Sequence, residues 1–334
     1  MNERDHVLAA IRHEGTGIVP YTLTFDDDTD KELDAYYGST TWRDSLKTYL
    51  QCVATVDTAM TKPVGNGYAR DAFGALWRID QRPQRVVQPP LTVPDVDAML
   101  WPKAESFSFT LTPDADIKPG RFTYCNVGWG LFERSWAIHG FENVMTSIAL
   151  EEGFYSALLD RITDLYVAHV ARCASVRADA IMFADDWGDQ RGIIIGPERW
   201  RKLFKPRWAM LYAAAHAQGK LVMSHCCGSF VDILPDLIEI GLDVIESVQP
   251  EARGMDPFAL KRTFGDKICF WGCLGSQSDI PFGTPTSIKQ RVRELCRIMG
   301  QGGGFMLAPA KAIQPGTPPE NMAALVEAFA EQNP

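Results

Sequence analysis

Three metal-capable side chains close a short apolar run: Lys220-Leu221-Val222-Met223-Ser224 leads directly into His225-Cys226-Cys227-Gly228. In an extended chain, residues two apart leave on the same face, so His225 and Cys227 point together and Cys226 points away. Neutral imidazole beside thiolate suits zinc, and a zinc held by three protein ligands keeps a fourth position open for water or substrate. Two donors are local here, and the remainder must come from elsewhere in the chain. The competing reading is packing, because free cysteine is among the most buried residue types.

Other apolar runs end on comparable groups. Ala180-Ile181-Met182-Phe183-Ala184 ends on Asp185-Asp186, and Val244 to Val248 carries Glu246 with Gln249 just beyond. Ile268 to Gly272 is followed by Cys273 and Gln277, and Phe305 to Ala308 runs into Pro309 to Gln314. Asp185 and Asp186 are the candidate catalytic carboxylates, Asp185 as ligand or proton carrier, although an Asp at a strand end commonly caps the next loop. Cys273 is the candidate third metal ligand after His225 and Cys227, with a packed thiol as the alternative. Zinc among these groups would activate a thiol or polarise a methoxyl oxygen.

Such scattered residues meet only if the strands share one direction. From Arg121 onward strand-like and helix-like segments alternate every 30 to 40 residues, which is the βαβ pattern of a parallel sheet. The helices are signalled by apolar periodicity, as in Phe154, Leu158, Ile162, Leu165, Tyr166 and Val170, with His169 read as structural. A second long helix is expected from Pro197 to about Gln218, with proline in its first turn. No Gly-x-Gly-x-x-Gly follows a strand, so a dinucleotide-binding open sheet lacks its signature. A (β/α)8 barrel with an N-terminal elaboration fits best, and its strand C-termini would share one mouth. Residues 1–334 then form a single domain, with about 42–119 as an insertion near that mouth. Within it, Val53 to Ala59 reads as a strand and Tyr68 to Ile79 as a hairpin turning near Gly74. The acidic run Asp26-Asp27-Asp28 with Asp30 reads as a solvated loop.

Composition narrows the function class. The 334 residues carry a net charge of −9 without a basic cluster, which argues against nucleic acid as a partner. No apolar stretch approaches the length of a membrane span, and no secretory leader is expected after Met1-Asn2-Glu3-Arg4. Eight cysteines in such a chain read as free thiols or ligands in a reducing, cytoplasmic setting.

The chain resembles the uroporphyrinogen decarboxylase superfamily, and within it the corrinoid-linked methyltransferases. The resemblance is carried by Phe132-Glu133-Arg134, Asp185 through Gln190, His225-Cys226-Cys227-Gly228, Leu234 through Gly241, Pro281 through Pro285 and Gln314 through Asn321. It implies a TIM barrel. True decarboxylases of the family grip substrate carboxylates with an arginine-rich N-terminal segment, and Gly15 to Asp30 contains no arginine here. The methyltransferase branch has a His-x-Cys pair, matched by His225 and Cys227, and a later third cysteine, where this chain has Ala310. The resemblance thus implies a zinc-dependent methyltransferase moving a methyl group between a small methylated compound, or a folate or thiol acceptor, and a cobalamin-type corrinoid on a separate protein. Cys273 or a carboxylate such as Asp185 or Glu246 would supply the missing ligand, and a homodimer is compatible. The alternative is a metal-independent carboxy-lyase in which Asp185 or Asp186 steadies a protonated intermediate. A binding protein on a barrel scaffold is a third reading.

Overall fold

The computed structural model describes residues 1–26, 28–57, 60–150 and 152–332. Its strands are β1 (Leu50–Asp57), β2 (Met60–Gly65), β3 (Tyr68–Asp71), β4 (Leu76–Arg78), β5 (Arg85–Gln88), β6 (Ser108–Leu111), β7 (Phe122–Trp129), β8 (Ala180–Ala184), β9 (Leu221–His225), β10 (Val244–Val248), β11 (Cys269–Leu274) and β12 (Phe305–Pro309). β1, β7, β8, β9, β10, β11 and β12 pair in parallel in that order, giving seven staves. The eighth is the extended segment from Ile18 to Phe25. It meets the far end of the sheet through parallel bridges from Tyr21 to Leu307 and from Phe25 to Ile313. Pro20 lies in this segment and has no N–H to offer a ladder, which explains why the pairing stays local. Tyr21 faces β1 as well: its hydroxyl accepts the Lys47 N–H at 2.9 Å, and its ring meets Tyr49 edge-on at 5.1 Å. The chain is a (β/α)8 barrel, as its alternation implied.

The boundary of the elaboration differs from the expected 42–119. β1 lies inside that range and is a barrel stave, so the added structure begins after it; Thr58 and Ala59, the end of the expected strand, lie outside the described residues. Beyond β1 comes an antiparallel meander of β2 to β5, and β6 then returns antiparallel to β1. The expected hairpin is β3 with β4, turning through Gly74 at φ +95°, a conformation glycine adopts without strain. Asp71 secures it. Its carboxylate accepts the N–H groups of Phe73 and Ala75, the Trp77 indole N–H, and Nη1 of Arg134, a residue buried in the helix Leu131–His139. Both charges of that ion pair are about 1 % exposed, so deleting one partner leaves the other buried and unpaired.

The helical layer largely obeys the periodicity. Helix Glu152–Arg172 carries the apolar periodicity from Phe154 to Val170, whereas the helix expected from Pro197 to Gln218 is two, Pro197–Leu203 and Lys205–His216. Pro206 is the cause, since its ring excludes an intrahelical hydrogen bond at the junction. His169 is fully buried, as a structural residue would be, with its ring 4.7 Å from Phe107. Among the described residues no helix is long and apolar enough to cross a membrane.

Candidate metal centre

β9 delivers His225 at its last position, and Cys227 comes two residues later on the same side. Sγ of Cys227 lies 3.3 Å from His225 Nε2, so the alternation survives the strand end. Cys226 goes the other way into full burial, which pushes its thiol well up. The third member is Asp186, whose Oδ1 stands 3.5 Å from the same Nε2. The donor atoms of Asp186, His225 and Cys227 all lie within 4.8 Å of one another.

Two loops must approach closely for this. The loop after β8 and the loop after β9 stack at Gly188 and Gly228. A Cβ on Gly188 would sit 2.7 Å from the Ser229 carbonyl oxygen, and one on Gly228 would sit 2.5 Å from that of Asp189. Gly228 also has φ +74°, so both the space and the backbone demand glycine. The stack is pinned by the Ser229 N–H to the Asp189 carbonyl at 2.8 Å and by the Asp185 N–H to the His225 carbonyl at 3.0 Å. Asp186 is then aimed by the Cys227 N–H, which donates to its Oδ1 at 2.8 Å.

The other ring nitrogen is also engaged. His225 Nδ1 is hydrogen-bonded to Oε2 of Glu246 on the neighbouring strand β10. A carboxylate there holds a proton on Nδ1, so that a metal displacing the proton of Nε2 would find that nitrogen facing Cys227 and Asp186, the arrangement typical of a metal-ligating histidine. Zinc bond lengths near 2.0–2.3 Å in a tetrahedron put ligand atoms about 3.3–3.8 Å apart. The distances of 3.3 and 3.5 Å from Nε2 match that spacing, so this donor set fits zinc.

Charges in the cluster shift accordingly. Burial would lower the His225 pKa, but Glu246, Asp186 and Cys227 outweigh it and hold the imidazolium well above its usual range. Burial opposes ionisation of Asp186 too, yet His225 and the Cys227 groups hold its carboxyl below the ordinary value. Glu133, in the first turn of Leu131–His139, is pushed well up, first by burial and then by Asp186 and Asp185. It therefore keeps a proton beside the cluster. No local pattern around Glu133 signals this role, because the pressure comes from two aspartates more than fifty residues away.

Two expected site residues stand elsewhere. Asp185 is fully buried, with Oδ1 accepting the Glu133 N–H and Oδ2 accepting the Phe132 N–H and the Trp187 indole N–H, at 2.7–2.9 Å. The two backbone donors belong to a helix's first turn, so Asp185 caps that helix from another strand and has no oxygen turned to a reactant. Burial pushes its pKa up to about 7 against those three bonds. The hydrogen bonds of Asp185 are those of a residue that positions the helix Leu131–His139. Cys273, expected just past its strand, lies inside β11, fully buried. β11 is irregular there, with Gly272 at φ +128°, Cys273 at φ +75° and a register shift opposite Glu246 and Val248. Bulges re-aim side chains. The charges Cys273 senses are Arg291 and Asp256 of the helical layer, and burial pushes its thiol up. It does not join the cluster. Ala310 is buried, and its carbonyl accepts the Ser247 hydroxyl.

Glu246 also lines a cavity of about 300 Å³ in the barrel lumen, with Thr22, Tyr124, Asn126, Trp271 and Lys311 among its walls.

A family model for uroporphyrinogen decarboxylase (URO-D) matches residues 135–332, more than half of the chain. The chain belongs to this family. Its curated relatives include methylcobamide:CoM methyltransferase MtaA of Methanosarcina barkeri, 27% identical over 177 residues, covering 52% of this chain and 48% of that protein. Uroporphyrinogen decarboxylase of Pelodictyon phaeoclathratiforme is 24% identical over 255 residues, covering 73% and 68%. The match spans about half the length of the methyltransferase relatives. A solved methyltransferase from Methanosarcina mazei superposes with a TM-score of 0.70 over 99% of both chains at 18% identity, which establishes the shared fold. This member of the URO-D family thus has relatives of both reaction types.

Proposed function

We propose that this URO-D family protein is a zinc-dependent methyltransferase working with a corrinoid carried on a separate protein. The observation that carries the reading is the convergence of Asp186 Oδ1, His225 Nε2 and Cys227 Sγ at zinc-ligand spacing, with Glu246 behind the histidine. Those three residues would hold the ion, which when bound supplies activation of a thiol or polarisation of a methoxyl oxygen. Glu246 keeps the histidine proton on Nδ1. Glu133, whose protonated form is favoured, can release that proton to a departing oxygen. Asp185, by capping the helix that carries Glu133, fixes where that proton sits. The corrinoid partner, the cytoplasmic setting and a homodimer belong to the same proposal.

Carboxy-lyase chemistry is the second reading, favoured by the relative with the longer match. Two observations weigh against it. The lumen cavity is at the small end of ligand pockets and carries one lysine in place of an arginine set, a poor match for a large polycarboxylate. Asp185, one of the two carboxylates it would use, already accepts three hydrogen bonds.

Elemental analysis of the purified protein with zinc supplied tests the proposal. About one zinc per chain, lost in Asp186→Ala, His225→Ala and Cys227→Ala and retained in Cys273→Ala, is the expected pattern. The zinc-bound enzyme should then change the spectrum of cob(I)alamin in the presence of a methyl donor. A metal-free protein that releases CO2 from an aromatic or pyrrole acid would sink the methyltransferase reading.

A further inference from the structure

Two fully buried thiols meet behind the barrel wall. Tyr124 and Asn126 of β7 line the lumen cavity, so strand alternation turns Cys125, between them, to the opposite face and toward the helices. Helix Glu152–Arg172 ends there in the short turn Cys173–Ser175. The chain that follows is stitched to the start of β7: the Asp179 N–H donates to the Thr123 carbonyl at 2.8 Å, and the Thr123 N–H donates to Asp179 Oδ2 at 2.9 Å. Lys220, just ahead of β9, closes the space by donating from Nζ to the carbonyls of Val176 at 2.8 Å and Ala178 at 3.1 Å. Within this frame the thiols of Cys125 and Cys173 hydrogen-bond to each other. The cover over Cys173 is thin, because Ala174, Ser175 and Arg177 are exposed.

We propose that Cys125 and Cys173 form a redox modification site, in which hydrogen peroxide oxidises Cys173 and Cys125 closes on it to give an intrachain disulfide. The surroundings assign the two roles. The hydrogen bond from Cys125, followed by the charges of Lys220 and Arg172, holds the Cys173 thiol below its usual range despite burial, while the same bond together with burial pushes Cys125 up. A thiolate is the nucleophile, so Cys173 attacks first. Its sulfur takes one peroxide oxygen, the O–O bond breaks, and the leaving hydroxide becomes water with the proton that Cys173 gave up. The Cys125 sulfur then attacks the sulfur of the Cys173 sulfenic acid, the S–O bond breaks, and hydroxide leaves as water with the Cys125 proton. Two thiols are oxidised by two electrons, and one peroxide is reduced to two waters. The bond would tie the end of helix Glu152–Arg172 to β7, enclosing the helix Leu131–His139 between its ends. Cys125 faces away from the lumen, so the site stands independently of the methyl-transfer reading.

Peroxide treatment of the folded, zinc-supplied protein tests this, with the remaining thiols alkylated in denaturant and the digest read by mass spectrometry. The parent should yield a linked Cys125–Cys173 peptide, two hydrogens lighter than the reduced pair and lost on treatment with dithiothreitol. This result needs no substitution, so it stands whether or not a variant folds. Cys125→Ala should trap the sulfenic acid, so that dimedone labels Cys173, whereas Cys173→Ala should leave Cys125 unlabelled; circular dichroism reports the fold of each. Replacing the partly exposed thiols, as Cys52→Ser with Cys296→Ser, should leave the linked peptide in place. Three outcomes overturn the inference: Cys125 and Cys173 both still reduced once Cys52 and Cys296 are oxidised, a linked peptide that forms only in denaturant, or dimedone on Cys125 in the folded Cys173→Ala variant with none on Cys173 in the folded Cys125→Ala variant.

Discussion

Replacing Glu246 isolates the carboxylate behind the histidine from the three donors themselves. In the parent, Glu246 Oε2 engages His225 Nδ1, which holds a proton on that nitrogen and makes Nε2 a stronger donor to a metal. Glu246→Gln keeps an acceptor oxygen within reach but loses the charge, so zinc affinity should fall about tenfold, the lower end for such partners. Glu246→Ala removes acceptor and charge together and should cost about a hundredfold, or about 2.8 kcal/mol at about 1.4 kcal/mol per decade. Competition of each variant against a chromophoric zinc chelator at fixed pH gives the dissociation constants, and circular dichroism checks the fold. The ordering matters more than either value. If Glu246→Ala binds zinc within about threefold of the parent while folded, the carboxylate is not orienting a ligand and the assignment of Nε2 fails.

The loop contact and a buried histidine give two more tests. Gly228→Ala places a methyl 2.5 Å from the Asp189 carbonyl oxygen in a left-handed backbone. It should lower stability by about 2 kcal/mol or more by chemical denaturation and weaken zinc binding by moving Asp186. Parent-like values in both assays would show that the two loops are not locked there. His169 has both ring nitrogens buried without partners, and burial lowers its pKa to about 4. The unfolded chain takes up that proton near pH 6.5, so this contribution is full above pH 6.5 and is lost as pH falls through 4, by about 3 kcal/mol. The parent should lose stability relative to His169→Leu over that window, and parallel pH profiles would contradict it.

The barrel and the His225/Cys227 pair were legible in the sequence because both rest on local periodicity. Strand and helix alternation sets the layers, and a two-residue spacing at a strand end sets a shared face, without reference to the rest of the chain. The tertiary structure decided the rest. Asp185 and Asp186 are adjacent and chemically identical, yet one caps a helix begun more than fifty residues earlier while the other turns to the histidine; only the stacking of two loops at Gly188 and Gly228 tells them apart. Cys273 had the residue type and the strand end a ligand needs, but a local irregularity in β11, set by its fit against β10, aims it into the helical layer. Glu246 became the partner of His225 through parallel register, and Glu133 held its proton through burial among distant charges. Short spacing fixes direction along a single strand, whereas partnership between strands depends on register, bulges and loop contact, none of which a local pattern encodes.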